Sequence, residues 1–465
     1  MKDDIKRLKR IFEPESVAVV GVSLSGGKMG NVIYDNLRKS EKDVYAVNPK
    51  AEGQEGFYPS VSDIPASLDL VISAVPAKVT VEVVKECVSL DVGGMVLVAG
   101  GFREAGEEGE RLSREMKKTI EDSDMRVIGP NTLGVYRSWS GLDTFFVGED
   151  IIKRPERGRV SFISQSGFLS LPFLERFCKN GLGLSTFSGL GNRVDVTELD
   201  LLDYLGEDDR TEVIAVYLES FVDGRRFYEN VREISKKKAI VLLKGGKTQR
   251  GKKAVESHTG SLALSSDTIV KGMADQVGVI YAGDEKELID HSEALAYYGI
   301  LEGGRVAVVS SAGGMGIIAS DNIENEYEHL EVADLSVETE KELSGFLPEL
   351  ASFNNPVDLT PTVDYDDYTN TVEVLLSDDG VDAVVLYLSR TTNFGVEDEE
   401  NMVRWLGEKS GEKPVFPVVF GEVNGVRLRD MLDERGIVNY DSTKQVLDVM
   451  DKLVKRGRFL ERVQR

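Results

Sequence analysis

Cysteine and histidine are nearly absent from this sequence: two cysteines, Cys87 and Cys178, and three histidines stand among 465 residues. Two cysteines so far apart exclude a disulfide scaffold and a CxxC site, and their scarcity fits a reducing compartment. No cluster with metal-ligand spacing occurs, so no metal site is expected on this chain. Long apolar runs are missing as well. The opening MKDDIKRLKRIFEPES lacks the apolar stretch of a secretory leader, and no run approaches membrane-spanning length, so the expected location is cytoplasmic and away from membranes. Positive charge is in deficit: 56 Lys+Arg against 80 Asp+Glu leave a formal charge of -24. Such a balance repels nucleic acid and anionic membrane surfaces. The GxxxxGK[ST] phosphate loop is absent too.

What the chain does have is a rhythm. Short apolar runs ending in Gly, Pro or Asn alternate with amphipathic segments throughout, the pattern of βαβ units with buried parallel strands. The first block supplies SVAVVGVS, DVYAVNPK, LDLVISAVPA, GGMVLVAGGF and MRVIGPN. GEDIIKRPERG breaks the rhythm near residue 150 and DHSEALAYYGILEGG precedes a second break, so the expected domains are 1–150, 151–300 and 301–465. The second and third blocks resemble each other. GRVSFISQSG matches GRVAVVSSAG, NRVDVT matches NPVDLT, and TEVIAVYLE matches VDAVVLYLS. The expected architecture is therefore α/β: a Rossmann-like domain followed by two flavodoxin-like, doubly wound domains. Between the copies Ser166 becomes Ala312, Glu219 becomes Ser389, and the stretch carrying His258 is shortened without a histidine. The scaffold is kept while a hydroxyl, a carboxylate and an imidazole disappear together.

Three stretches carry candidate chemistry. The turn GVSLSGGKMGNVIYDNL follows a strand and opens a helix, where backbone N–H groups and the helix dipole can hold phosphates. Its spacing departs from GxGxxG, and the next strand ends in Asn48, Pro49 and Lys50, where an NAD site needs an acidic residue for the ribose hydroxyls. A lysine suits a phosphorylated ribose, as in NADP or coenzyme A. In SFISQSGFLS, residues Ser164, Gln165, Ser166 and Gly167 are expected at a helix N-terminus, their hydroxyls and amides converging on one anion. Glu219 closes the strand VIAVYLES at an end that faces the ligand crevice in open α/β sheets. There it can fix one ring nitrogen of a histidine and leave the other nucleophilic. His258 lies in KGGKTQRGKKAVESHTGS, a stretch without apolar period that reads as a mobile polar loop. His291 and His329 read as structural or solvated.

Taken together, SHTGSLA, GPNTLG, SFISQSG, LGNRVDV and YLESFVDGRRF resemble the α subunit of ADP-forming acetyl-CoA synthetase, a nucleoside-diphosphate-forming acyl-CoA synthetase related to the α subunit of succinyl-CoA synthetase. The resemblance spans essentially the whole chain. It implies that His258 is phosphorylated, that Glu219 stabilises it, and that the turn from Ser164 to Gly167 holds phosphate. It implies a coenzyme A site built from Gly21, Ser23, Gly27, Lys28, Gly30 and Asn31, from Asn48, Pro49 and Lys50, and from Pro76, Gly100, Gly101 and Asn131. The substrates implied are acyl-CoA and phosphate. ADP or ATP and Mg²⁺ are expected on a separate ATP-grasp β subunit in an α2β2 heteromer, since no ATP-grasp-like segment follows the third block. The acyl group stays open. Other readings of the same residues are a CoA-binding regulatory or scaffold protein without catalysis, and an NADP-dependent dehydrogenase.

Overall fold

The computed structural model describes residues 2–51, 53–259, 266–389, 393–409, 413–421 and 424–464. Three parallel sheets follow one another along the chain. The first holds β1 (Ser16–Val20), β2 (Asp43–Val47), β3 (Phe57–Tyr58), β4 (Leu70–Ser73), β5 (Gly94–Leu97) and β6 (Arg126–Ile128) in the order β3-β2-β1-β4-β5-β6. That is the doubly wound Rossmann order, with its switch point between β1 and β4. Val, Ile and Leu fill these strands because helices cover both faces, and Val17, Val19, Ile72 and Val96 are fully buried.

The second sheet contains β7 (Val135–Arg137), β8 (Leu142–Asp143), β9 (Arg157–Ser164), β10 (Leu184–Gly189), β11 (Val213–Leu218), β12 (Ala239–Lys244) and β13 (Ile280–Ala282) in the order β13-β12-β11-β9-β10-β7-β8. Its five parallel strands run in flavodoxin-like order, with the short β7–β8 hairpin added antiparallel to β10. The boundary expected near 150 is thereby corrected, because β7 and β8 precede it yet belong to the second sheet. Tyr136 faces Phe187 across the ladder, and Phe145 meets Phe187 edge-on at 5.3 Å, so this hairpin gains its burial from the second domain.

The third sheet holds β14 (Arg305–Ser310), β15 (Glu331–Val332), β16 (Val357–Asp358), β17 (Ala383–Leu388) and β18 (Val415–Val419), with β15-β14-β17-β18 in line and β16 beside β14. Four of these strands repeat the order of β10, β9, β11 and β12, as a duplication requires. Compactness divides the chain into two units, Met1–Cys178 with Gly183–Leu288, and Lys179–Leu182 with Ile289–Arg465. The second division, expected near 300, thus falls inside the helix Glu285–Tyr298.

Within the first unit, one apolar core runs from Ile11, Phe12 and Val19 through Ile163 to Leu202 and Leu218. A half-buried ion cluster ties its two sheets together: Arg126 of β6 pairs with Asp195 at 3.0 Å and Asp200 at 2.9 Å. Asp200 also accepts the amide of Thr197 at 2.8 Å, closing the T-x-x-D capping box of the helix Glu198–Gly206. Among the described residues, no helix is long and apolar enough to cross a membrane and no group of three or more His, Cys, Asp or Glu could hold a metal ion.

Candidate functional site

The carboxyl ends of β1, β2, β4, β5 and β6 present the residues expected to meet coenzyme A, and they do so in two ways. Some are exposed: Lys28, Pro49, Lys50, Pro76, Gly100, Gly101 and Asn131 line the rim. Others hold the rim in shape. Asn31 accepts the amide of Ser23 at 3.1 Å and returns a bond to the Ser23 carbonyl at 2.8 Å. Asn48 donates to the Val22 carbonyl at 2.6 Å and accepts the amide of Lys50 at 2.9 Å, which sets the direction of the lysine. Gly26 and Gly27 adopt φ of 76° and 74°, a left-handed bend that suits glycine. Gly30, expected to face the ligand, is buried, and a Cβ there would come within 2.4 Å of the Gly21 carbonyl oxygen. Its role is close packing of the helix Met29–Leu37 on the strand turn.

Glu104, which sequence reasoning missed, organises the opposite rim. Its carboxylate accepts the amide of Gly101 at 2.6 Å, the amide of Phe102 at 3.1 Å, and the side chain of Asn192 at 2.5 Å. Burial opposes the charge, yet these donors hold its carboxyl below the usual carboxylate range. Asn192 had been legible only as part of a repeated motif.

The serine turn differs from expectation. Ser164 is the last residue of β9, 1% exposed, and its hydroxyl donates to the Ser166 carbonyl at 2.8 Å while accepting the Ser166 amide at 3.2 Å. Ser310 makes the same pair of bonds to Ala312, both at 3.0 Å, in the copy that lacks the other candidate residues. Ser164 therefore shapes the turn and does not reach a ligand. Gln165 is buried, and its carbonyl oxygen accepts the amide of Glu219 at 2.9 Å. The helix itself starts later, at Ser170. Ser166 and Gly167 remain open, and with Asn131, Asn192 and Gln165 they border a cavity of about 370 Å³ between the two sheets of the first unit.

Glu219 lies just beyond the end of β11, as expected, and is 5% exposed. The Tyr217 hydroxyl donates toward its carboxylate at 3.4 Å, and Lys244 donates to its main-chain carbonyl at 2.7 Å. Arg193 braces the following turn through Ser220 and a buried pair with Glu198 at 2.8 Å. Gly245 adjoins both Tyr217 and Glu219. From there the chain enters the helix Gln249–Thr259, not a loop: Thr248 accepts the Gly251 amide at 3.1 Å as its cap, and Val255 anchors it. His258 belongs to the last turn of this helix, which lies beside the short turn Arg103–Ala105 next to Gly100 and Gly101. The His258 side chain and residues 260–265 are outside the described residues.

Burial pushes the Lys244 ammonium down to about 8 from 10.5, with Glu219 opposing and Lys252 adding to the fall. The folded state then binds fewer protons than the unfolded chain between those values, so this group makes stability rise with pH through that window. Lys244→Met should remove the rise. Wild type should gain roughly 2–3 kcal/mol over the variant between pH 8 and pH 10.5 in denaturant titrations. Parallel profiles would place the ammonium in water.

Three family models match in succession: a CoA binding domain over residues 15–138, a succinyl-CoA ligase-like flavodoxin domain over 157–295, and a ligase-CoA domain over 306–458. The chain is 39% identical to acetate–CoA ligase (ADP-forming) I of Archaeoglobus fulgidus, over 97% of this chain and 68% of that protein. It is 34% identical to the α subunit of acetate–CoA ligase (ADP-forming) II of Pyrococcus furiosus, over 97% of this chain and 98% of that subunit. Among solved structures, the dinucleotide-forming acetyl-coenzyme A synthetase 1 of Candidatus Korarchaeum cryptofilum, in complex with phosphate and ADP, superposes with a TM-score of 0.89 at 30% identity, covering 98% of both chains.

Proposed function

This chain belongs to the α-subunit family of ADP-forming acetyl-CoA synthetases, within the nucleoside-diphosphate-forming acyl-CoA synthetases, and on that premise we propose that it performs the CoA and phosphohistidine half of the reaction. The observation that carries the reading is convergence. The rim at Asn131 and the open turn at Ser166 and Gly167 border one cavity, while Gln165 links that turn to Glu219 on the neighbouring strand.

Phosphate held at Ser166 and Gly167 attacks the thioester carbonyl, the C–S bond breaks, and acyl phosphate and free CoA form. His258 then attacks phosphorus, the carboxylate leaves, and a phosphohistidine remains. Glu219 orients the imidazole so that the attacking nitrogen is unprotonated. The phosphoryl group passes to ADP on a separate β subunit, where Mg²⁺ offsets the phosphate charge. The α-subunit designation of the Pyrococcus furiosus relative, of which this chain matches 98%, supports that division. Incubation of this chain with acyl phosphate should label His258, and addition of the β subunit with ADP should discharge the label into ATP. Absence of label would leave a CoA-binding scaffold, and tight NADP(H) binding without CoA binding would favour a dehydrogenase.

Lys50 gives the coenzyme prediction. Its side chain is exposed just past the Asn48 turn, and we assign its ammonium to the ribose phosphate. Lys50→Ala should weaken CoA about 10- to 100-fold by isothermal titration and leave dephospho-CoA nearly unaffected, because the lost contact is a charge-assisted bond to that one group. Equal weakening of both ligands would move Lys50 away from the ribose phosphate.

A further inference from the structure

Beside Glu219 the least expected group is a buried ammonium. Lys244 ends β12 and is 3% exposed. Taking an ammonium out of water is costly, and a strand end covered on both faces does not call for one. The duplicated sheet shows what the fold alone requires. Its strands keep the register of the second sheet: Tyr217 pairs with Ser164 as Tyr387 pairs with Ser310, and Lys244 pairs with Leu218 as Val419 pairs with Leu388. Where the second sheet has Lys244, the third has Val419, which is equally buried. Where the second has Glu219, the third has Ser389. The tyrosine is kept in both copies, whereas the lysine and the carboxylate occur only in the copy that carries His258.

The bonds of the ammonium join two strand ends. It donates to the main-chain carbonyl of Glu219 at 2.7 Å and to the carbonyl of Gly245, and the Phe221 ring lies 5.8 Å from it. One group thus ties the exit of β11, where Glu219 stands, to the exit of β12, from which the chain runs through Gly245 and Gly246 into the helix Gln249–Thr259. We propose that Lys244 is a positioning residue for phosphohistidine formation: it clips together the two strand exits that carry Glu219 and His258, and so sets the approach of the carboxylate to the imidazole. The assignment rests on the phosphohistidine reaction proposed above and adds a residue to it. Valine would fill the same place in the sheet but would take this donor from both carbonyls. Charge strengthens the two bonds, so the clip is strongest while the amine is protonated. Burial lowers its pKa to about 8, with Glu219 and Asp267 opposing the fall and Lys252 and Lys247 adding to it. The clip is therefore complete below that pH and weakens above it.

The test follows two half-reactions of this chain assembled with its β subunit, with ADP withheld: thiol release from acetyl-CoA by phosphate, and labelling of His258 by acetyl phosphate. Lys244→Met keeps the length of the side chain and removes its charge. It should slow labelling about 10- to 100-fold and thiol release by less than about threefold. The ratio of the two rates does not depend on the fraction of enzyme folded, so partial misfolding does not mask the result. In wild type, labelling should also fall as pH rises above about 8, whereas in Lys244→Met it should stay level, at its reduced rate, across the same range. Lys247→Met removes a neighbouring ammonium that is bonded instead to the Gly283 carbonyl, and it should keep the wild-type fall. Equal slowing of both half-reactions in Lys244→Met, an unchanged ratio, or an alkaline fall that survives in that variant would overturn the role while leaving the reaction intact. No label in wild type would overturn the reaction and the role together.

Discussion

His258→Asn should abolish phosphoryl transfer from acyl phosphate to ADP, at least about 10³-fold in the assembled enzyme, while the protein folds as wild type. Asparagine offers no nitrogen that can carry the phosphoryl group. The helix Gln249–Thr259 is held by its Thr248 cap and by Val255, and position 258 is in its last turn, where asparagine is readily accommodated. The thermal midpoint should therefore stay within a few degrees. The two chemical steps should also separate. In the proposed mechanism phosphorolysis of acyl-CoA uses phosphate at the Ser166–Gly167 turn and not the imidazole, so the variant should still form acyl phosphate and release free thiol. In wild type the label should be lost in acid and kept in base, as a phosphoramidate behaves. A label stable in acid would move the acceptor to Ser257 or Ser261, and retained ATP formation by His258→Asn would remove the histidine from the reaction.

How far these sites could be read from sequence depended on whether a residue's partner was local. The sheets were legible because buried parallel strands write continuous apolar runs, and the duplication because β9 and β14 carry the same run and the same turn. The places of Glu219 and Lys50 just past the ends of β11 and β2 were legible from the apolar runs before them, and strand ends in doubly wound sheets face the crevice. The β7–β8 hairpin was not, because such short strands carry little pattern and their partner, β10, lies about 50 residues further on. Ser164 was misread for another reason. An ST-type turn and an anion-binding turn share the same serine, and only the bonds to the Ser166 main chain separate them. The helix carrying His258 was hidden by Gly251 and the pair Lys252 and Lys253, with Val255 the one buried apolar side chain among the described residues of the helix. Nothing in the sequence FREAGEEGE sets Glu104 apart from its acidic neighbours. Its meaning comes from Asn192, 88 residues away in sequence.

Glu219→Gln should slow phosphohistidine formation by about 10²- to 10³-fold and change CoA affinity by less than about threefold. The substitution keeps the shape of a side chain that is 5% exposed, whose backbone is fixed by Gln165 and Lys244, so the scaffold has no reason to move. What it removes is a negative charge in a buried setting, where the proposed interaction with an imidazole that gains positive character during phosphoryl transfer would be strong. A glutamine carbonyl can still accept a bond from the ring N–H, so the loss measures charge more than tautomer. Glu219→Ala, which removes both, should be slower again. CoA affinity is the control because the proposed coenzyme contacts belong to the first sheet, whereas Glu219 belongs to the second. Gln165→Ala tests the same geometry from its support: by freeing the Glu219 and Ser220 amides it should slow phosphorylation without touching charge. A slow phosphorylation step in Glu219→Gln and Glu219→Ala with unchanged CoA binding places the carboxylate at the histidine. Loss of CoA affinity in parallel with phosphorylation would instead show that Glu219 holds the fold together, and unchanged rates in both variants would leave His258 oriented by some other group.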